Sequence, residues 1–95
     1  MTYTFSAKIW KHNSDGGWHF VSLPKLISEE IRTHLKWQEE GWGRLKVIAQ
    51  VEDLQWETAI WFDTKADTYL LPIKANIRKK LSLEIDTIID VLLLV

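Results

Sequence analysis

The stretch "YLLPIKANIRKKLSLEID", residues 69–86, begins like a strand and continues like a helix. Its first three residues are typical of a strand, and Pro72 then removes a backbone donor and ends the extended run. The cations that follow recur at helical spacing: Lys74, Arg78, Lys79 and Lys80. The segment therefore predicts a strand, a break at the proline and a short helical turn near residues 74–81.

The same order occurs in the first half of the chain. Leu23-Pro24 precedes Ile31-Arg32 there, as Leu71-Pro72 precedes Ile77-Arg78 in the second half. The spacing after each proline differs, so duplication and coincidence are both open. If the repeat is real, two β-β-α-β halves related by a pseudo-twofold close six strands into one barrel without long unpaired edges.

Alternation of polar and apolar residues predicts the remaining strands. They are residues 2–9, 18–23, 44–52, 56–63, 68–72 and 87–95. Ser28 is suited to an N-cap and acidic residues follow it, which predicts a helix over 28–36. The predicted buried stripe of this helix is Ile27, Ile31, His34 and Leu35. We therefore expect a mainly β protein with minor α, built as a closed six-stranded β-barrel.

The length and composition of the chain limit the classes of protein to which it can belong. A chain of 95 residues is expected to form a single domain over 1–95, and 46% hydrophobic residues suffice for a dense core. A formal net charge of −1 makes nucleic acid an unlikely main partner, since phosphate binding favours a basic excess. The chain has no cysteine, and Asp90 interrupts its most apolar run, so we expect a cytoplasmic protein without a membrane segment.

Four segments resemble the bacterial domain-of-unknown-function family 1905. They are "WHFVSLP" (18–24), "GWGRLKV" (41–47), "WETAIWF" (56–62) and "YLLPIKANIRKKLSLEIDTIIDVLLL" (69–94). The resemblance covers nearly the whole chain and implies a small β-barrel with no assigned activity. More distantly, the order of the segments is similar to swapped-hairpin barrels of the AbrB/MazE type, which implies a fused, one-chain version. A shared fold does not carry over DNA binding.

No catalytic motif is evident. The three histidines lack metal-binding spacing; His12 and His19 flank a turn near Asp15, where two polar hairpin residues are the favoured interpretation over a metal site. The acidic pairs Glu29-Glu30 and Glu39-Glu40 are expected to face solvent rather than to act in catalysis. We therefore predict a protein that is not an enzyme, with no catalytic residues, no metal and no cofactor.

Six tryptophans are the most unusual feature of the composition. They either fill the core or form a stacking platform for a flat or sugar-like ligand, and the first interpretation is favoured. Strand parity places Trp61 opposite the core-facing side of its strand, and two further tryptophans flank Gly41 in a loop. The tryptophans expected to be exposed are Trp37, Trp42 and Trp61.

The basic turn has two interpretations. Lys74 and Arg78 are four residues apart and share a helical face, which is either an ordinary solvated surface or an anion site. In the anion site Arg78 supplies a planar fork and Lys74 a point charge. The candidate ligand-binding residues are Trp42, Arg44, Trp61, Lys74 and Arg78.

The leading hypothesis is a non-enzymatic domain that binds a small anionic or aromatic ligand, or a protein partner, through this edge. We expect it to be a monomer or weak dimer that does not bind membranes. The alternative is a DNA-binding regulator of the AbrB-like type.

Overall fold

The computed structural model describes residues 1–13 and 16–95, with the backbone alone at Trp42. The strands and helices follow in this order: β1 Thr2–Lys8, β2 Trp10–Lys11, β3 His19–Ser22, α1 Lys25–Leu35, β4 Arg44–Val51, β5 Leu54–Asp63, β6 Thr68–Pro72, α2 Ala75–Leu81 and β7 Ile88–Leu94. Two 3₁₀ turns, Lys36–Gln38 and Gly41–Gly43, connect α1 to β4. The prediction of a mainly β chain with one helix and one short helical turn is confirmed. Neither described helix has the length and apolar character that crossing a membrane requires.

All seven strands form one antiparallel sheet in the order β1-β7-β4-β5-β6-β3-β2. The prediction of a closed six-stranded barrel was wrong, because the sheet is a seven-stranded half-barrel with β1 and β2 at its edges. The predicted first strand, residues 2–9, ends one residue early, at Lys8. The Ile9 amide donates to the Thr87 carbonyl (2.9 Å), and the Ile9 carbonyl accepts from the Asp86 amide (2.8 Å). The predicted strand thus corresponds to β1, which pairs with β7, while the two residues after Ile9 form the separate strand β2, which pairs with β3.

The order of elements repeats along the chain. A hairpin, a Leu-Pro step, a helix and a strand occur first as β2-β3-α1-β4 and again as β5-β6-α2-β7. The strand pairings repeat in the same way. The last strand of the first half, β4, pairs with β5, and the last strand of the second half, β7, pairs with β1. Three strand pairings join these two halves: β4 with β5, β4 with β7 and β3 with β6.

The core lies on the inner face of the half-barrel. Alternate residues of the neighbouring strands β4 and β7 are buried there: Leu45, Val47, Ala49 and Val51 in β4, and Ile89, Val91 and Leu93 in β7. Helix α1 covers this face with Ile31, and α2 contributes Ile77. The outer face is left for polar side chains and for several large aromatic ones.

Helix α1 begins at Lys25, earlier than predicted, because Pro24 and not Ser28 occupies the N-cap position. Ser28 is fully buried within the helix, where its Oγ accepts a hydrogen bond from the backbone amide of Tyr69 (3.0 Å). A buried backbone donor without a partner is costly, so this contact fixes α1 on β6. His34 is exposed, which corrects its assignment to the buried stripe.

Candidate functional site

The candidate site lies on the outer face of the sheet, where side chains of adjacent strands form a row. Arg44 of β4 is the register partner of Trp61 in β5, and Trp61 is the partner of Leu70 in β6. Cross-strand partners have their Cβ atoms about 4.5–5.5 Å apart, so these side chains are direct neighbours. The row therefore places a guanidinium next to an exposed indole.

A groove of about 680 Å³ runs beside this row, and we call it the cationic groove. The aromatic and charged residues that line it are Trp18, Arg44, Lys46, Glu57, Trp61 and Lys74. The two indoles are the exposed ones, with 49% of Trp18 and 40% of Trp61 open to solvent. Three cations and one carboxylate line the groove, so it is locally basic although the whole chain has a net charge of −1.

The cations of the groove differ in their pairing. Arg44 Nη1 lies 3.4 Å from Glu40 Oε2, and Lys46 Nζ lies 3.9 Å from Glu40 Oε1. Lys74 is exposed and forms no ion pair with any residue in 1–13 or 16–95. Glu40, which is not among the lining residues, thus pairs with two of the cations, and Lys74 has no ion-pair partner among the described residues.

A second hollow of about 390 Å³ adjoins the groove, and we call it the aromatic trough. It is lined by His12, Trp18, Phe20, Trp61, Phe62, Asp63 and Leu70. The Trp18 ring stacks on Phe20 with centroids 6.0 Å apart and an interplanar angle of 9°. Trp18 and Trp61 line both hollows, so the trough and the groove are continuous.

The structure brings together three of the five residues that the sequence singled out. Arg44, Trp61 and Lys74 line the cationic groove although they come from separate parts of the chain. Arg78 lies outside the groove, in a smaller hollow of about 210 Å³ that it shares with Lys74. The side chain of Trp42 lies outside the described part of the structure, and its backbone belongs to the Gly41–Gly43 turn.

Arg78 has a local partner that the sequence did not indicate. Its Nη1 donates to the backbone carbonyl of Ile73 at 2.7 Å, and the side chain is partly buried. One side of the guanidinium therefore holds the turn that leads into α2. The planar fork predicted for a ligand is not presented in the groove.

Sequence reasoning missed Trp18 and Lys46. Trp18 had a signal, because in the predicted strand 18–23 it shares the parity of Phe20 and Ser22, opposite the buried Val21. Lys46 had a signal, because it shares the parity of Arg44 along β4. The predicted exposure of Trp37 and Trp61 is confirmed.

The histidines form no metal site in the part of the chain described. His12 is exposed in the trough, and a ring nitrogen of His19 lies 2.6 Å from the Gly17 carbonyl. No group of three metal-binding side chains occurs among residues 1–13 and 16–95. Asp15, the expected neighbour of both histidines, lies outside the described residues.

Beneath the site lies a cluster of four residues that we call the inner cluster: Arg32, Glu39, Phe62 and Tyr69. Arg32 Nε is 3.4 Å from Glu39 Oε1, and its guanidinium lies 3.8 Å from the centroid of the Phe62 ring. The Tyr69 hydroxyl donates a hydrogen bond to Glu39 Oε1. Burial, and then the adjacent Glu39 carboxylate, raise the pKa of the Tyr69 phenol above its ordinary value of 10.0.

Glu39 corrects the prediction that both carboxylates of the Glu39-Glu40 pair face solvent. The side chain of Glu39 is 9% exposed, whereas that of Glu40 is 51% exposed. The 3₁₀ turn that follows is fitted closely to the cluster. A Cβ at Gly43 would lie 3.1 Å from Phe62 Cβ, and Gly43 has a φ of +68°, so glycine suits this position. The inner cluster thus fixes the segment that delivers Glu40 and Arg44 to the groove.

The comparisons identify a family and no characterised relative. The family model described as "Domain of unknown function (DUF1905)" matches residues 5–93. No curated protein matches the chain.

Proposed function

This chain belongs to the DUF1905 family, whose description assigns no activity, and we propose that it is a non-enzymatic domain that binds small aromatic anions such as aryl carboxylates. The observation that supports the proposal is the cationic groove. Its three cations, Arg44, Lys46 and Lys74, line the same groove as two exposed indoles.

Each part of such a ligand has a complementary group in the groove. A flat ring stacks on the exposed face of Trp61, a contact worth about 0.5–1.5 kcal/mol beyond area burial. The carboxylate accepts hydrogen bonds from Lys74 and, where it replaces Glu40, from Arg44; bonds to charged groups contribute about 1.5–3 kcal/mol each. After the cost of association, these terms correspond to dissociation constants of roughly 0.1–1 mM.

The test is a titration of the ¹⁵N-labelled protein with 2-naphthoate, followed by two-dimensional NMR. We expect the indole signals of Trp18 and Trp61 and the amide of Lys74 to shift together and to saturate with one dissociation constant. Neutral 2-naphthalenemethanol is expected to bind about tenfold more weakly, because it lacks the charge. Indole signals that stay unmoved up to about 10 mM naphthoate would contradict the proposal.

Single substitutions test whether 2-naphthoate binds in the groove or elsewhere on the surface. Trp61→Ala and Lys74→Gln are each expected to weaken 2-naphthoate binding by about three- to tenfold. The matched controls are Trp37→Ala and Lys80→Gln, which remove an exposed indole and an exposed ammonium that do not line the groove. The proposal fails if the controls lose as much affinity as the groove variants.

The three cations also make a DNA-binding regulator of the AbrB-like type the second candidate. Neutralised phosphates would release counterions, so affinity for duplex DNA would fall steeply with salt. A gel shift at low ionic strength decides between the two: a salt-sensitive duplex complex that 2-naphthoate does not displace favours the regulator.

A further inference from the structure

We infer that the aromatic trough is the ring-binding half of a bipartite site, so that the ligand is an extended aryl anion with two or more fused or linked rings and its charge at one end. This inference rests on the proposed function, because the anion is placed in the cationic groove. It adds the chemical class of the other half of the ligand, which the groove alone does not define.

The first argument is continuity between the two hollows. Trp18 and Trp61 line both, so a ring that stacks on either indole is already at the border of the trough. Trp61 is the register partner of Arg44, which lines the groove, and of Leu70, which lines the trough. A ligand with one ring ends at the indoles, whereas a longer ring system continues over Leu70.

The second argument is the difference in lining between the hollows. Aromatic and aliphatic side chains dominate the trough, whose volume of about 390 Å³ is within the range of sites for small molecules, roughly 300–1,000 Å³. The exposed and stacked ring of Trp18 offers area that binding would remove from water. Each square ångström of apolar surface so buried contributes favourably, which makes affinity rise with ring number.

The third argument is orientation. The carboxylate in the trough belongs to Asp63, whose Oδ1 also accepts a hydrogen bond from the Lys65 amide (3.0 Å). A negative charge at this end repels an anion, whereas three cations outnumber the Glu57 carboxylate at the groove end of the combined site. The ligand therefore lies with its anionic group toward Lys74 and its rings toward Leu70.

The experiment compares one ring with two. Benzoate and 2-naphthoate are titrated separately into the wild-type protein, and the amides of His12, Leu70 and Asp63 report on the trough. We expect both probes to shift the signals of the groove, and 2-naphthoate alone to shift those of the trough, with an affinity about five- to tenfold higher than that of benzoate.

Two trough variants are used, so that the test can still be read if one of them does not fold. Leu70→Ser removes the apolar floor, and His12→Ala shortens an exposed side chain that lines only the trough. Both are expected to reduce the preference for 2-naphthoate to about twofold or less while benzoate binding is retained.

The outcomes are distinguishable. If 2-naphthoate shifts only groove signals and the variants keep its full preference, the trough inference is wrong and the proposed function stands. If neither probe shifts the groove signals, the proposed function fails and the inference falls with it.

Discussion

The inner cluster and a set of residues beside the cationic groove, which we call the outer set, contain the same three kinds of side chain on opposite faces of one sheet. Each combines an arginine, a glutamate and an aromatic ring: Arg32, Glu39 and Phe62 inside, and Arg44, Glu40 and Trp61 outside. The two glutamates are adjacent in the chain, and so are the two rings. In each of these two extended stretches, alternation therefore sends one residue inward and its chain neighbour outward.

The inner cluster and the outer set differ in how deeply their glutamates are buried. Glu39 is nearly enclosed and satisfied by Arg32 and by the Tyr69 hydroxyl, so removing it leaves charged and polar groups without partners. Glu40 is half exposed, and an exposed ion pair contributes about 0–1 kcal/mol to stability. The comparison teaches that the same combination of residues anchors a loop when it is buried. When it is exposed, a ligand carboxylate can replace the glutamate beside the arginine.

The largest expected effect is on the inner cluster. Glu39→Ala should lower the free energy of unfolding by about 2–4 kcal/mol, because Arg32 loses its counter-charge and the Tyr69 hydroxyl loses its acceptor. Urea unfolding followed by tryptophan fluorescence measures the change.

Glu40→Ala is the matched control, since it removes the neighbouring carboxylate and changes the net charge equally. Its expected cost is about 0–1 kcal/mol. Equal costs for the two variants would show that burial does not distinguish the two sets.

A smaller effect is expected from the Tyr69 hydroxyl, and it depends on pH. Burial, then the contact with Glu39, raise the pKa of Tyr69 above 10.0, so the native state favours the neutral phenol. That stability is fully present below the ordinary pKa and is lost as pH rises above it, because the unfolded state releases the proton first. Tyr69→Phe should be less stable than the wild type by about 1 kcal/mol at neutral pH, and the gap should narrow above about pH 10.

Urea unfolding of both proteins at about pH 8 and about pH 11 measures this gap. Tyr3 also has a raised pKa, from burial and then from Glu30, but it is present in both proteins and cancels in the difference. A gap that stays constant across this range would contradict the assignment of the shift to Tyr69.

The sequence predicted the outer set better than the inner one, for a physical reason. Exposure on a strand follows from parity, which is local, so Trp61 could be assigned to the outer face and Arg44 followed at the start of its own strand. Burial of a polar group depends on partners that are distant in the chain. Glu39 is enclosed by Tyr69, and Ser28 is buried because it accepts from the amide of that same tyrosine.

The closed barrel failed for the same reason. Alternation predicted a strand over 2–9, and the consecutive apolar residues Ile9 and Trp10 follow, but this pattern does not say which strand pairs with the residues on either side of Ile9. The break between β1 and β2 arises from backbone hydrogen bonds between Ile9 and residues Asp86 and Thr87, which lie at the far end of the chain. No local pattern contains that information.

The smallest expected effect concerns the outer set and tests whether it is exchangeable. Glu40 contacts both Arg44 and Lys46, so an incoming carboxylate competes with it for the same cations. Glu40→Gln should therefore raise the affinity for 2-naphthoate by about two- to fourfold, in line with the modest strength of exposed ion pairs. Glu29→Gln, on the exposed side of α1, changes the net charge equally and is expected to leave affinity within about 1.5-fold of the wild type. Equal gains from both variants would assign the effect to net charge, and no gain from Glu40→Gln would show that the ligand does not use Arg44 and Lys46.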